Sequence, residues 1–116
     1  QAHYVLAHLL MQQGDYIHAA DRYRKSLEGD PENFRAQADL ALALAAMGKL
    51  PEAIEQFEGA LRLNPRDSLS HANLGRVLAA QGNLTRAKAE LEQALRLDPD
   101  QTVAREALQA LPNPNR

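Results

Sequence analysis

The sequence predicts an all-α fold, an α-solenoid built from helix–turn–helix repeats, and three observations support that prediction. Equivalent residue types recur every 34 positions, a glycine divides each repeat into two amphipathic segments, and an Asp-Pro or Asn-Pro pair stands at the end of each repeat. Internal periods of about 20 to 50 residues are typical of helical and other repeat arrays. One such repeat cannot cover its own apolar faces, so neighbouring repeats must stack to bury a core.

The period is clearest in two nearly identical phrases, ALRLNP at 60–65 and ALRLDP at 94–99. A shift of 34 residues superposes leucines, glycines, alanines and prolines three times over. The equivalent sets are Leu6/Leu40/Leu74, Leu10/Leu44/Leu78, Gly14/Gly48/Gly82, Ala19/Ala53/Ala87, Leu27/Leu61/Leu95 and Pro31/Pro65/Pro99. This agreement predicts repeats at about residues 1–33, 34–67 and 68–101.

The first helix of each repeat, helix A, is expected to begin at the Asp-Pro or Asn-Pro pair. Asp30, Asn64 and Asp98 would be N-caps, and the proline after each would occupy the first turn, where it leaves no amide unpaired. Helix A should end at the three equivalent glycines, because glycine tolerates the left-handed conformation that closes a helix.

The second helix, helix B, is expected to begin directly after each glycine. Asp15 and Asn83 are the expected caps in the first and third repeats, and Pro51 lies in the first turn of the second. The apolar stripe of helix B combines small alanines, which let two helices approach closely, with one larger residue such as Phe57.

The two ends differ from the middle of the chain. The first repeat has no opening cap, and we expect the chain to be a piece of a longer protein. Residues 100–111, DQTVAREALQAL, predict a capping helix with Val103, Ala107, Leu108 and Leu111 along one face. PNPNR at 112–116 is expected to be a frayed tail, so one domain should span residues 1–111.

Composition excludes several kinds of function. The chain has no cysteine, its net charge is −2, and its aromatic share is 4%. A broad positive field for nucleic acid is therefore not expected, and no apolar run approaches the ~20 residues of a membrane span. The composition suits cytoplasm and periplasm equally, so it leaves the location open.

No residue pattern indicates catalysis, a metal or a cofactor. His3 and His8 are five residues apart, off a common helical face, and no cysteine or paired acidic residue accompanies the histidines. Ser68 and Ser70 flank a helix start without a His–Asp partner. Glutamates of helix B are expected to face solvent, outside any pocket that could support acid–base catalysis. We therefore expect no enzyme, no cofactor and no metal.

The repeat pattern resembles the tetratricopeptide repeat, whose period is also 34 residues. The matching residues in the second repeat are Leu40, Ala41, Leu44, Ala53, Phe57, Ala60 and Pro65, and in the third Leu74, Gly75, Leu78, Ala87, Leu91, Ala94 and Pro99. The resemblance implies a right-handed α-solenoid. One position departs from the family: His3, Gln37 or His71 stands where a Trp or another large apolar residue is usual, so we expect a weaker packing contact there.

The resemblance also implies a function, since A helices of this family line a concave groove that holds a partner's peptide or helix. The expected groove residues are Tyr4, Val5, His8, Arg35, Asp39, Leu42, Leu69, Asn73 and Arg76. Three residues are apolar on a face that packing does not require to be apolar: Leu42, Leu69 and Val5. Asn73 and the arginines can hydrogen-bond a peptide. We expect a non-catalytic scaffold that binds a protein partner.

One subtype of the family clamps the carboxylate at the end of chaperone tails with lysines, asparagines and an arginine. The matching positions here are Tyr4, His8, Asp39, Leu69 and Asn73, which hold no lysine. We therefore expect no binding to those acidic tails. Alanines along the A helices suggest a groove wide enough for a helical ligand.

The sequence leaves two alternatives open. The chain could be a self-associating or spacer module, with a homo-oligomer formed through the uncapped first repeat, where Leu6, Leu9 and Leu10 would lack cover. It could instead be an accessory segment of a larger multidomain enzyme.

Overall fold

The computed structural model describes residues 2–112, and this part of the chain forms seven α-helices and no strand. The helices are α1 (Ala2–Gln12), α2 (Tyr16–Gly29), α3 (Phe34–Ala46), α4 (Leu50–Leu63), α5 (Ser68–Ala80), α6 (Leu84–Leu97) and α7 (Thr102–Ala110). α1, α3 and α5 are A helices, α2, α4 and α6 are B helices, and α7 is the predicted capping helix. The predicted all-α class is confirmed, whereas most of the predicted tail lies outside the described residues.

The helices belong to two compact units. The first, Gln1–Pro65, contains α1 to α4, and the second, Arg66–Arg116, contains α5 to α7. In the first unit α1 packs on α2, α2 on α3 and α3 on α4, whereas in the second α5 packs on α6 and α7 packs on both. Small alanines and one large side chain per B helix, such as Tyr23, Phe57 and Leu91, are fully buried. The predicted repeat limits and the single domain stay predictions.

Each A helix that is followed by a B helix ends at a glycine, as predicted. Gly14, Gly48 and Gly82 have φ values of 79°, 78° and 92°, which an L-residue adopts only with strain. The residue after each glycine donates its amide to a carbonyl five residues earlier, at 2.9 Å in all three turns. This is the Schellman closure, and it lets helix B begin almost at once.

The predicted caps of the B helices are also confirmed. The Asp15 carboxylate accepts the amide of His18 at 3.3 Å, and the Asn83 side chain accepts the amide of Arg86 at 3.3 Å. In the second repeat, Pro51 lies in the first turn of α4.

The predicted start of helix A was wrong by three or four residues. Asp30, Asn64 and Asp98 are C-caps of the B helices, and each donates its amide to a carbonyl four residues earlier. The proline then occupies the second position of a turn. The Asn33 amide closes this turn by donating to the Asp30 carbonyl at 3.2 Å, and the Gln101 amide does the same to the Asp98 carbonyl at 3.0 Å. Asn33 is the N-cap of α3. The fixed φ of proline suits both a first helical turn and this turn position, so the pair alone does not distinguish them.

The position where the family usually has a large apolar residue carries a polar contact in all three repeats. Each of these side chains meets a B-helix residue 19 positions later. The pairs are His3 Nδ1 with Arg22 Nη1 at 3.4 Å, Gln37 Nε2 with Gln56 Oε1 at 3.2 Å, and His71 Nδ1 with Glu90 Oε1 at 2.8 Å. A hydrogen bond between helices A and B thus takes the place of the usual apolar contact.

Among the helices of residues 2–112, none is long and apolar enough to cross a membrane.

Candidate functional site

All nine predicted groove residues lie on A helices. α1 carries Tyr4, Val5 and His8, α3 carries Arg35, Asp39 and Leu42, and α5 carries Leu69, Asn73 and Arg76. The first six therefore belong to the first unit and the last three to the second, and each set has its own geometry.

In the first unit, Asp39 is the centre of a cluster of polar and aromatic side chains. Its side chain is buried, and the Tyr4 hydroxyl donates to Asp39 Oδ2 at 2.9 Å. His8 Nε2 lies 3.4 Å from the same oxygen. Tyr4 and His8 are one turn apart on α1, whereas Asp39 is on α3. The contacts therefore tie the first A helix of this unit to the second.

Three aromatic rings surround this carboxylate. Tyr4 and His8 meet edge to face with their centroids 4.8 Å apart, and Tyr23 of α2 lies 5.9 Å from Tyr4 and 6.1 Å from His8, also edge to face. Such arrangements are favoured by the ring quadrupoles. We call Tyr4, His8, Tyr23 and Asp39 the Asp39 cluster.

Burial keeps the tyrosines of the Asp39 cluster protonated. Desolvation, followed by the negative charge of Asp39 and its hydrogen bond, raises the pKa of Tyr4 from 10.0 to about 12, against a smaller opposing effect of Arg35. The pKa of Tyr23 is also raised, mainly by burial and then by Asp39. Both side chains are therefore neutral near pH 7, and Tyr4 acts as a hydrogen-bond donor rather than a base.

The other predicted residues of the first unit are more accessible. Val5 is 59% exposed and Leu42 is half-buried. The Arg35 guanidinium lies 5.2 Å from the centroid of the Phe34 ring, a cation–π distance. Arg35 also lies close enough to Tyr4 for its positive charge to oppose the rise in the Tyr4 pKa.

In the second unit, the equivalent of Asp39 is Asn73, which is also buried. Its Oδ1 accepts a hydrogen bond from Arg76 Nη1 at 3.3 Å. Arg76 is exposed and Leu69 is half-buried. The second unit therefore has a neutral buried group at this position, bonded to a cation that reaches solvent.

Sequence reasoning missed Tyr23, because its equivalents Phe57 and Leu91 are ordinary core residues. The signal was its hydroxyl, since a buried tyrosine usually places that group beside polar partners. Only some of the alanines expected to widen the groove are exposed: Ala38 and Ala72 are buried, whereas Ala46 and Ala80 are exposed.

The histidines and carboxylates are distributed over separate contacts. His18 Nδ1 lies 2.8 Å from the cap residue Asp15, and His3 and His71 contact their own B helices. Within residues 2–112, no group of three or more His, Cys, Asp or Glu side chains is placed to hold a metal ion.

The sequence model of one protein family, described as Tetratricopeptide repeat, matches residues 4–68 and again residues 38–102. The second match begins 34 residues after the first, which is the period of the sequence. No curated protein sequence matches this chain significantly.

Solved structures similar to the chain are domains of this type. The first TPR of Spaghetti (RPAP3), bound to the HSP90 peptide SRMEEVD, has a TM-score of 0.87 and 26% identity over 94% of this chain and 90% of that one. The second TPR domain of human RPAP3, in complex with the HSP70 peptide SGPTIEEVD, has a TM-score of 0.87 and 25% identity, covering 92% and 89%. The Sgt2 TPR domain from Aspergillus fumigatus, at 22% identity, has a TM-score of 0.89 and covers 93% and 73%.

Proposed function

The chain belongs to the tetratricopeptide repeat family, and we propose on this basis that it is a non-catalytic scaffold that binds a segment of a partner protein along its A helices. The family fold is generally one of protein interaction, and similar structures hold peptides. The proposed contact residues are those of the A helices in each unit, taken separately, with Leu69, Asn73 and Arg76 of the second unit as the main ligand contacts.

One observation carries the proposal. The same position of two successive A helices holds a buried polar side chain, Asp39 at 8% exposure and Asn73 at 6%, each bonded to a more accessible side chain. Burying a polar group costs free energy, and an apolar residue would serve packing better. Asn73, whose partner Arg76 reaches solvent, is therefore suited to recognising a ligand, and the charge of Asp39 limits which ligands can approach the first unit.

The chemistry of the partner segment should differ from that of the acidic peptides SRMEEVD and SGPTIEEVD. A buried carboxylate, Asp39, occupies one of the positions at which relatives of the clamp subtype present amides or cations. A second negative charge brought near it would be repelled. We propose a helical segment without a terminal carboxylate anchor, which would lie against the small exposed side chain of Ala80 and hydrogen-bond Asn73 and Arg76 within the second unit.

The test begins with a displayed-peptide selection on the whole chain. Peptides recovered from the selection are then titrated against the wild-type chain and against Asn73→Ala/Arg76→Glu. We expect the double substitution to weaken binding by at least about tenfold, since one or two hydrogen bonds to a charged group are lost.

Lys88→Glu is the matched control, because Lys88 is also an exposed cation of the second unit but lies on the B helix α6. It should leave the affinity unchanged. Equal affinity for the wild-type chain and the double variant would show that the A-helix assignment is wrong.

Titration with SRMEEVD tests the expected ligand chemistry separately. We expect binding at least about 100-fold weaker than that of the selected peptides, which is about 2.7 kcal/mol. Comparable affinities would contradict the proposed exclusion of carboxylate-terminated tails, although the scaffold function itself would stand.

A further inference from the structure

The buried side chain of Asn73 has only part of its hydrogen bonds satisfied. Asn73 is 6% exposed, and its Oδ1 accepts a hydrogen bond from Arg76 Nη1 at 3.3 Å. Among residues 2–112, no acceptor bonds to the Asn73 side-chain nitrogen, which carries two N–H donors. No fully buried side-chain nitrogen or oxygen of these residues lacks a partner, so the Asn73 nitrogen must reach the surface. Both donors of a nearly buried side chain are therefore left to an acceptor supplied from outside.

Arg76 supplies further donors at the same place. Its side chain is exposed, and the guanidinium uses one of its five N–H donors on Asn73. In the described part of the chain, no carboxylate pairs with this guanidinium. Arg76 is also the only Asp, Glu, Lys or Arg residue of α5. Its positive charge is thus uncompensated on its own helix.

The identity of residue 73 keeps this charge uncompensated. The equivalent residue of the first unit is Asp39, whose carboxylate accepts the Tyr4 hydroxyl. A carboxylate at position 73 would lie beside the Arg76 guanidinium and neutralise it, whereas the asparagine accepts the same bond without bringing a charge. Asn73 and Arg76, which we call the Asn73–Arg76 pair, therefore have the donors and the charge to bind a carboxylate of a ligand.

An apolar surface lies about two helical turns before this pair. Leu69 is half-buried and stands seven residues before Arg76, which is about 10.5 Å along α5. Val103 of α7, the repeat equivalent of Leu69, is half-buried as well and packs against the core of the second unit. The Gln101 side chain donates to Ser68 Oγ at 3.3 Å, so α5 and α7 begin side by side. Leu69 and Val103 therefore lie at the same end of the two helices.

From this arrangement we infer that the Asn73–Arg76 pair binds the side-chain carboxylate of an aspartate or glutamate within the partner helix. An apolar residue seven positions away in the same helix would lie against Leu69 and Val103, because a helix along α5 presents its residues at the spacing of α5. The inference rests on the proposed scaffold function and names the chemistry of its ligand.

A side-chain carboxylate fits the pair better than other acceptors do. It can accept two parallel bonds from a guanidinium and a further bond from an amide. Main-chain carbonyls in the middle of a helical ligand are already bonded within that helix. The peptide SRMEEVD contains acidic residues, but with seven residues it cannot hold an apolar residue seven positions from one of them. Its expected weak binding is therefore unchanged.

The test starts from a displayed library of helical peptides selected on the whole chain. A recovered peptide is synthesised with an amidated C-terminus, and each of its acidic residues is replaced in turn by the amide of the same size, Glu→Gln or Asp→Asn. One replacement should weaken binding to the wild-type chain by at least about tenfold, because charge-assisted hydrogen bonds are lost.

Two variants of the chain locate the contact. Asn73→Asp introduces a carboxylate that competes for Arg76, so the preference for the acidic peptide over its amide form should disappear. Arg76→Gln removes the cation at an exposed position, where no buried group is disturbed, and should abolish the same preference. Lys88→Gln is the matched control, since it removes an exposed cation of α6, and it should keep the full preference.

The possible failures are distinguishable. Recovery of no peptide would contradict the scaffold function itself. Peptides that bind but change affinity by less than about twofold on every amide replacement would overturn the inference alone. An equal preference in the wild-type chain, Asn73→Asp and Arg76→Gln would overturn it as well. A peptide that loses its affinity when its C-terminus is amidated would show that the pair binds a terminal carboxylate, which also overturns the inference.

Discussion

The two units hold different chemistry at equivalent positions of the repeat. In the first unit the buried A-helix position holds the carboxylate Asp39, and the cap of the first B helix is the carboxylate Asp15. In the second unit the same two positions hold the amides Asn73 and Asn83. The cap hydrogen bond is nevertheless the same length in both units, since each side chain accepts a backbone amide at 3.3 Å.

This difference separates a polar group that holds two helices together from one that a ligand can reach. Asp39 is bonded to Tyr4 on another helix, so its charge helps to fix α1 against α3. Asn73 is bonded to Arg76 one turn away on its own helix, and that guanidinium reaches solvent. We therefore expect the Asp39 cluster to contribute mainly to stability, and Asn73 and Arg76 mainly to binding.

The largest expected difference is in the free energy of unfolding. Asp39→Ala removes the acceptor of the half-buried Tyr4 hydroxyl and should lower the stability by about 2 kcal/mol. Asn73→Ala should cost about 1 kcal/mol, because the exposed Arg76 guanidinium can bond to water instead. Urea unfolding followed by circular dichroism measures both. An Asn73→Ala loss equal to or larger than that of Asp39→Ala would remove the distinction between the units.

A smaller loss is expected for Tyr4→Phe, which deletes the hydroxyl but keeps the ring among its aromatic neighbours. We predict that the free energy of unfolding falls by about 1 kcal/mol, the typical net contribution of one hydrogen bond. Tyr16→Phe, at a half-buried tyrosine in the first turn of α2, is the matched control and should cost less. In the Asp39→Ala background, Tyr4→Phe should have little further effect, and additive losses would show that the two groups are not coupled.

Alkaline pH should weaken the same cluster. The pKa of Tyr4 is raised from 10.0 to about 12, so the folded chain keeps a proton that the unfolded chain releases. Its contribution is complete below pH 10 and is lost as the pH rises towards 12. In thermal melts over this range, the melting temperature of Tyr4→Phe should decline less with rising pH than that of the wild-type chain. An identical decline in both proteins would argue against a half-buried Tyr4 that stays neutral.

The smallest effect is expected at the caps. The hydrogen bond with His18 lowers the pKa of Asp15 below 3.8, so this cap contributes stability above that pH and loses it as the pH falls through the lowered value. Asp15→Asn keeps the cap but does not titrate. It should flatten the acid side of the stability profile slightly, and the reverse change, Asn83→Asp, should add acid dependence to the second unit. Unchanged profiles in both variants would mean that cap ionisation has no influence on stability.

Much of the fold could be predicted because its signals are local. The turn glycines, the caps Asp15 and Asn83 and Pro51 each act on residues within one turn, so their spacing was sufficient. The start of helix A was misplaced because Asp30-Pro31 fits both a helix start and the turn that precedes one.

The contacts of the candidate site could be predicted less well. Asp39 was expected on the groove face, but its bond to Tyr4 joins residues 35 positions apart. The repeat gives no signal for this pair, since the equivalents of Tyr4 are Ala38 and Ala72. A contact present in only one repeat has no pattern from which it can be inferred.

The most direct test of the account compares peptide affinity in two single variants, Arg76→Glu and Tyr4→Phe, by calorimetric titration with a peptide selected on the wild-type chain. The account predicts at least about a tenfold loss for Arg76→Glu, whose guanidinium reaches solvent, and less than about a twofold change for Tyr4→Phe, whose hydroxyl is held by Asp39. The opposite order, with Tyr4→Phe losing affinity and Arg76→Glu keeping it, would contradict the division between a structural first unit and a binding second unit.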